Sequence, residues 1–257
     1  ATKRVRREIA SQLCLSNQLD VVTTFDRPNL YFAVDEVTSN AETLDTLVRM
    51  AKRGVFSKHH SSIIYVPTTA LAENIAEHLR RRGKVVSALA YHGRLRPEKR
   101  AEVHRAFISD QCRVMVATIA FGMGIDKPNI RLVVHAGLPQ SLEAYYQHIG
   151  RAGRDGEPSR ALLLFKRSDA QQQVMLGQLG RKNGSTAATA LNGAAAATLA
   201  SNEKLDMIDR MLGFATDDNT CRRERILRYF GQTLPRNTGG EHRENCCDVC
   251  SRARDEA

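Results

Sequence analysis

The chain has 257 residues, and its proportions of hydrophobic residues (42%) and charged residues (26%) are ordinary for a globular protein. No run approaches the roughly 18 consecutive apolar residues of a membrane helix, and the basic first residues lack the apolar segment of a secretory signal, so we expect neither a membrane partner nor export. The net charge of +10 favours a polyanionic partner such as nucleic acid, although a solvated basic surface gives the same composition. Nine of the ten net charges lie in residues 1–170.

Short β-rich runs alternate with amphipathic stretches through the first two thirds of the chain. The predicted strands are 21–25, 30–34, 61–66, 85–91, 113–118, 131–137 and 160–166. The predicted helices are 41–53, 69–83, 97–110 and 141–153. Several strands are continuously apolar, which is typical of strands covered on both faces. The alternation predicts an α/β fold with a mostly parallel sheet and helices on both faces.

The pattern changes after residue 170. Residues 181–202 are low in complexity and nearly free of charge, so we expect a flexible insert there. Residues 203–215 and 220–232 read as two helices, and the rest of the tail reads as a loop. The organisation predicted is an N-terminal segment (1–20), an α/β lobe (21–170) and a smaller helical region (171–257).

The segment 117–156 combines features of a ligand site. Thr118 ends a predicted parallel strand, which is where ligands of open α/β sheets bind. Gly122 and Gly124 allow the backbone to approach a ligand closely, and Asp126 follows on the same loop.

Gln147, Arg151 and Arg154 follow on or just after the next predicted helix. Arg151 and Arg154 are three positions apart among glycines, so both guanidinium groups can approach one anion from the same side. Two forked, permanently charged donors suit a phosphate that is being transferred. A surface pair of arginines bound to carboxylates is the alternative.

Four cysteines lie close to the C-terminus and predict a metal site. They are Cys221, Cys246, Cys247 and Cys250. The spacing Cys-x-x-Cys is typical of zinc sites, and four thiolates make a closed, structural Zn²⁺ site with no position for a reactive water. His242 is the alternative fourth ligand, since side chains of adjacent cysteines normally diverge. The arginines of residues 222–228 either add phosphate contacts or form a solvated helix face.

The resemblance to a known family rests first on AFGMGIDKPNIR (120–131) and YYQHIGRAGRDG (145–156), which resemble motifs V and VI of superfamily-2 helicases of the RecQ family. Residues 61–79 resemble motif IV, and residues 90–100 resemble the segment that follows it. Residues 25–34 resemble the start of the second RecA-like lobe. Residues 221–231 with 246–250 resemble a zinc subdomain closest to the Werner-type branch.

The resemblance implies a role for each motif residue. In such helicases Arg154 and Arg151 reach the γ-phosphate of an ATP held mainly by the first lobe, with Arg154 as the better candidate for the arginine finger. Gln147 helps to couple the nucleotide state to lobe closure, and Gly124 and Asp126 line the cleft between the lobes.

The same resemblance implies that Ser62, Thr68, His92 and Thr118 face the single strand and contact its backbone. For His92 an alternative stays open, because a histidine after a buried strand is often simply hydrogen-bonded there. Thr68 and Thr69 stand where the family usually has Ser-Arg, which removes one phosphate contact.

Two further departures from the family pattern matter. His148 stands where motif VI usually has an acidic residue, so the ion pair expected there is in doubt. The sequence also contains neither G-x-x-x-x-G-K-[ST] nor an Asp-Glu-x-His motif. Its start resembles the point just past motif III, so we expect a first RecA-like lobe in cis in the complete enzyme, and ATP and Mg²⁺ held largely by that lobe. Alone, the chain is expected neither to bind ATP tightly nor to hydrolyse it.

The resemblance therefore implies the C-terminal motor half of an ATP-dependent 3′-to-5′ DNA helicase that unwinds single-stranded and forked DNA in repair or recombination, in the nucleus. A non-catalytic, zinc-dependent nucleic-acid-binding module is one alternative, and the arginine pair argues against it. A lobe of an RNA-directed superfamily-2 helicase is the other, and the cysteine cluster argues against that.

Overall fold

The computed structural model of the chain describes residues 3–56, 59–85, 87–122, 125–173, 193–233 and 246–255. The strands are β1 Leu30–Glu36, β2 Ser61–Tyr65, β3 Ala88–Tyr91, β4 Val114–Ala117, β5 Ile130–Ala136 and β6 Ser159–Phe165. They form one six-stranded parallel sheet in the order β1-β6-β5-β2-β4-β3. The helices are α1 Lys3–Gln12, α2 Asn40–Lys52, α3 Thr69–Arg81, α4 Pro97–Ile108, α5 Leu142–Ile149, α6 Gly193–Thr216, α7 Arg222–Tyr229 and α8 Asp248–Asp255.

Local sequence explains where the helices of the sheet begin. The side chains of Ser39, Thr68 and Ser141 each accept a hydrogen bond from the backbone N–H three residues on, which caps α2, α3 and α5. Pro97 occupies the first turn of α4, where its missing N–H costs nothing. Each hydroxyl cap follows a strand closely, so these three helices start at the carboxyl edge of the sheet.

Apolar side chains cover both faces of the sheet. Ile63 and Ile64 are neighbours on β2 but belong to two different core clusters, as the alternation of side chains along a strand requires. One cluster packs α2 and α3 against the sheet, and the other includes Phe107 and Tyr145 and continues into α6 through Phe214. The predicted α/β fold with helices on both faces is confirmed.

The C-terminal helices attach to the edge of the sheet at β1. The N–H of Phe32 donates to the carbonyl of Cys246 over 3.1 Å, and Arg223 donates to the carbonyl of Leu30 over 2.8 Å. Ile226, Phe230 and Cys246 belong to the same core cluster as the sheet residues. This arrangement covers an edge that would otherwise present unpaired backbone groups.

Three predicted elements need correction. Residues 21–25 form no strand, because Phe25 donates its N–H to the Gln232 side chain and stacks on Phe230. Helix α6 starts at Gly193, so residues 193–202 are helical rather than a flexible insert. Their alanine run favours a helix strongly. Helix α8 occupies part of the tail expected to be a loop.

Residues 181–192 of the expected insert lie outside the described residues, as do residues 234–245 of the tail. Helix α1 belongs to the N-terminal segment, for which the sequence analysis predicted no element. Among the helices in the described part of the chain, none combines the length and the apolar character needed to cross a membrane.

Candidate functional site

Arg154 lies on the loop after α5 and forms an ion pair with Asp126, with 2.9 Å between Nη1 and Oδ1. The pair is open to solvent, since 38% of the Arg154 side chain and 87% of the Asp126 side chain are exposed. Such exposed pairs contribute about 0–1 kcal/mol to stability. An incoming phosphate would therefore displace Asp126 from Arg154 at little cost.

Arg151 comes from the same loop but is buried, with 6% of its surface exposed. The Arg151 side chain interacts with the hydroxyl of Tyr65. That hydroxyl donates a hydrogen bond to the carbonyl of Phe121 over 2.9 Å. A Cβ added to Gly122 would lie 3.0 Å from Nη2 of Arg151, so the glycine makes room for the guanidinium group. Within the described residues, the Nε atom of Arg151 has no hydrogen-bond partner. Unpaired buried donors are rare in folded proteins, so the fold leaves this guanidinium group incompletely satisfied.

His148 packs in a buried pair with His135, with 3.1 Å between Nδ1 of His148 and Nε2 of His135. The ring of Tyr65 stacks on His148 with centroids 4.2 Å apart. Burial and the positive charge of Arg151 lower the pKa of His148 to about 4, and burial also lowers the pKa of His135. Both rings are therefore neutral at pH 7, and the family's acidic residue is replaced here by an uncharged one.

Thr68, His92 and Thr118 follow β2, β3 and β4, so they all lie at the carboxyl edge of the sheet. Thr68 is exposed and caps α3, and Thr118 is 9% exposed. His92 is 2% exposed, and its Nε2 lies 3.1 Å from Oε1 of Glu73. Its predicted contact with a nucleic-acid backbone is therefore corrected to the alternative, a histidine held by a hydrogen bond inside the fold.

Ser62 is wrongly predicted as a nucleic-acid contact. It lies near the start of β2, at the opposite edge from Thr68, and is 0% exposed. The motif to which it belongs runs the whole length of β2, whose five residues are all buried, and exposure begins only after the strand, at residues 67 and 68.

The backbone of the arginine loop meets the amino end of the sheet at Gly153, whereas the guanidinium group of Arg151 reaches Tyr65, the last residue of β2. The N–H of Gly153 donates to the carbonyl of Ile130, the first residue of β5, over 2.9 Å. Gln147 is exposed on α5. Gly124 lies outside the described residues, and its predicted role stays a prediction.

The four cysteines predicted as metal ligands come together. Their Sγ atoms all lie within 4.8 Å of one another; they belong to Cys221, Cys246, Cys247 and Cys250. The separations of Sγ atoms are 3.4 Å for Cys221–Cys246 and 3.8 Å for both Cys221–Cys247 and Cys246–Cys247. Four sulfurs at about 2.3 Å around a tetrahedral Zn²⁺ lie about 3.8 Å apart, so the spacing fits zinc. The alternative ligand His242 lies outside the described residues.

The first two arginines of the basic helix α7 are structural. Arg222 is 0% exposed, and its Nη1 donates to the carbonyls of Phe214 and Asp217 over 2.6 Å each, while Nε donates to Asp248 over 3.1 Å. Arg223 is 3% exposed. The suggested phosphate contacts are therefore wrong for these two residues, because their donors are used inside the fold.

Comparison with known proteins decides the family. A model described as the helicase conserved C-terminal domain matches residues 41–156, and one described as RecQ zinc-binding matches residues 169–251. The ATP-dependent DNA helicase RecQ of Pasteurella multocida is 35% identical over 252 residues, 97% of this chain. The chain belongs to the RecQ family of superfamily-2 helicases. The RecQ zinc-binding match and the four-cysteine cluster together confirm structural Zn²⁺ as a cofactor of this RecQ chain.

Other RecQ relatives are equally similar. The RecQ-like DNA helicase BLM of Xenopus laevis is 35% identical over 256 residues, and the helicase wrn-1 of Caenorhabditis elegans is 33% identical over 253 residues; they align with 97% and 98% of this chain. These values do not single out the Werner-type branch. The chain spans 34% of the P. multocida protein, 17% of the X. laevis protein and 22% of the C. elegans protein.

Solved structures confirm the RecA-like fold of this RecQ chain. Saccharomyces cerevisiae Dbp5 bound to RNA and ADP BeF3 superposes with a TM-score of 0.56 at 20% identity, covering 80% of this chain and 53% of that chain. The L327V variant of Dbp5 bound to Gle1 H337R and IP6 gives 0.51 at 19% identity, covering 80% and 52%. At this level of identity the likeness shows the fold alone.

Tyr65 and His135 pack against Arg151 or His148 and were not predicted as site residues from the sequence. Both interrupt apolar strands, and a polar ring inside such a run was the available signal. Arg27 likewise had no role predicted from the sequence.

Proposed function

We propose that this chain is the second half of the ATPase of a RecQ-type DNA helicase, and that it hydrolyses ATP only with a first RecA-like lobe in cis. The arginine loop carries this proposal. Within the described residues, Arg154 is paired only with an exposed carboxylate, and Arg151 on the same loop has a buried donor without a partner. Two such groups on one loop suit the γ-phosphate of an ATP bound with Mg²⁺ on the other lobe.

On the nucleotide side, Arg154 exchanges Asp126 for the γ-phosphate and stabilises the charge that develops on the transferred phosphoryl group. Arg151 supports the same charge from its buried position. Gly124 and Asp126 line the cleft, and Gln147 on α5 links the nucleotide to lobe closure.

On the DNA side, Thr68 and Thr118 contact the backbone of the single strand at the carboxyl edge of the sheet. The excess of positive charge in residues 1–170 supports binding to single-stranded and forked duplex DNA. We assign 3′-to-5′ movement from the resemblance, and DNA substrates with a single 3′ or 5′ tail test it, since only the 3′-tailed ones should be unwound. A matching RNA strand tests the RNA-directed alternative.

The four clustered cysteines hold the zinc in this proposal, through Cys221, Cys246, Cys247 and Cys250. Four protein ligands leave no open position, so the ion stabilises the helices around it and takes no part in hydrolysis. A role in DNA repair and recombination in the nucleus is proposed on the Werner-type resemblance, and imaging of the tagged full-length protein tests the location.

In a protein that carries both lobes, Arg154→Ala should lower the ATP turnover number about 10³-fold or more, because the transition-state charge loses its finger. DNA binding should remain unchanged. DNA-stimulated phosphate release and fluorescence anisotropy with labelled single strands measure the two properties.

The matched control for that experiment is Arg167→Ala, which removes another exposed, ion-paired arginine, bound to Glu36. It should leave turnover unchanged. Near-normal turnover in the Arg154→Ala protein would contradict the finger assignment. Retained DNA binding without any ATP hydrolysis in the unchanged two-lobe protein would favour the non-catalytic binding module.

A further inference from the structure

The segment of residues 25–32, which leads into β1, lies between the arginine loop and the zinc-binding region. Its side chains and backbone contact both. One end of this connection is Arg27, and the other is Arg223 on α7. Neither is in the motifs that carry the proposed chemistry.

Arg27 fixes the backbone of the arginine loop. Its Nη2 donates to the carbonyls of Ala152 and Gly153 over 2.8 and 2.9 Å, and its Nη1 donates to the carbonyl of Gly150 over 3.3 Å. These three carbonyls flank Arg151 and precede Arg154. One planar guanidinium group with several donors in fixed directions thus sets the path of the chain between the two arginines.

Asn29 also binds the backbone of the arginine loop. Its side-chain amide donates to the carbonyls of Gly153 and Glu157 over 2.8 and 3.0 Å. Gly153 has a φ of +59°, and a Cβ there would lie 2.4 Å from the Asn29 amide nitrogen. The glycine therefore allows the loop to press against the segment that carries Arg27.

The other side of the segment is held by α7, which follows Cys221 directly. Arg223 donates to the carbonyls of Pro28 and Leu30 over 3.2 and 2.8 Å and pairs with Asp26 at 3.6 Å. The rings of Phe25 and Phe230 stack with centroids 4.5 Å apart. The residues next to Arg27 on both sides are thus fixed by the helix that begins at the cysteine cluster.

We infer that Arg27 is a positioning residue for ATP hydrolysis, because it holds the loop so that Arg151 and Arg154 face the phosphate. Arg223 connects the segment that carries Arg27 to the zinc-binding region. This inference rests on the proposed function. Among the described residues, the Arg27 guanidinium group donates hydrogen bonds only to backbone carbonyls of the loop, so its effect passes through the two arginines. Misplacement of a catalytic group by about 1 Å costs on the order of 10²-fold in rate.

Arg27→Met in the two-lobe protein tests the inference, because methionine keeps much of the length and removes all three hydrogen bonds. We expect kcat to fall about 10- to 100-fold. The KM for ATP, the Kd for single-stranded DNA and the zinc content should stay within about twofold. Arg27→Lys keeps the charge without the forked donors, so its kcat should lie between those of the unchanged protein and Arg27→Met. This variant replaces Arg27→Met in the test if the methionine variant does not fold. Arg167→Met is the matched control and should leave kcat unchanged.

The double variant Arg27→Met, Arg154→Ala separates positioning from general damage. If Arg27 acts through the two arginines, Arg27→Met should slow the Arg154→Ala protein less than it slows the unchanged protein, because only Arg151 is left to misplace. Multiplied effects, or an unchanged kcat in Arg27→Met, would overturn the inference while leaving the finger assignment intact. Absence of hydrolysis in the unchanged two-lobe protein would instead overturn the proposed function and this inference with it.

Discussion

The arginines of this chain differ in the partners that bind their guanidinium groups. Arg222 is not exposed and donates to the carbonyls of Phe214 and Asp217 and to the carboxylates of Asp218 and Asp248, whereas Arg154 pairs with the exposed carboxylate of Asp126. A buried arginine that is satisfied in this way has nothing left for a ligand. The sequence shows all of them alike, as basic residues near glycines or on a helix. Burial, which depends on the whole fold, decides which of them remain available for a phosphate.

The His135–His148 pair predicts a pH dependence of stability at the residue scale. The pKa of each ring is lowered by folding, so between pH 6.5 and about 4 the unfolded chain binds more protons than the folded one. The free energy of unfolding should therefore fall as the pH is lowered through this window, with a slope approaching about 1.4 kcal/mol per pH unit for each histidine. Urea unfolding at pH 7 and pH 5 measures it.

His148→Gln is the control for that measurement, because it removes one titrating ring and keeps a polar side chain of similar reach. The variant should lose less stability than the unchanged chain between pH 7 and pH 5. Equal losses in the two proteins would mean that His148 is protonated as easily in the folded chain as in the unfolded one.

At the scale of elements, periodicity predicted six strands and four helices within a few residues, because their apolar faces match the two core clusters. Periodicity failed where contacts between residues far apart in the sequence determine the local structure. Residues 21–25 look like a strand, but Phe25 finds its partners on Phe230 and Gln232, more than 200 residues later. Helix α8 starts in an apparent loop because Asp248 pairs with the buried Arg222. The motif residues were predicted by spacing, whereas the burial of Ser62 and His92 required the sheet.

At the scale of elements, Arg222→Leu should strongly lower the free energy of unfolding. The change leaves Asp248, whose side chain is 16% exposed, without its main partner, and it removes the donor to the carbonyls of Phe214 and Asp217. Breaking a buried ion pair on one side costs about 3–5 kcal/mol in the free energy of unfolding.

Arg228→Leu on the same helix is the comparison, since its pair with Glu224 is exposed and of the i,i+4 type. It should cost only about 0.3–0.5 kcal/mol. Denaturant unfolding of the two variants, followed by far-ultraviolet circular dichroism, measures both. Similar small losses would show that Arg222 contributes no more than a surface residue.

At the scale of the whole molecule, one lobe carries both groups of candidate residues, the arginine loop and the threonines Thr68 and Thr118 at the strand ends. The backbone of the loop meets the first residue of β5 at Gly153, while Arg151 reaches Tyr65 at the end of β2. The cysteine cluster shares a core with the sheet, so it stabilises the lobe that carries both groups.

DNA-stimulated ATP hydrolysis, measured for this chain alone and for the chain joined to a first RecA-like lobe, tests the central claim most directly. The chain alone should release no phosphate above background, since neither a phosphate-binding loop nor a Mg²⁺ motif occurs in its sequence. The joined protein should hydrolyse ATP when single-stranded DNA is added. Hydrolysis by the chain alone, or none by the joined protein, would contradict the claim that its arginines complete an ATPase across a cleft.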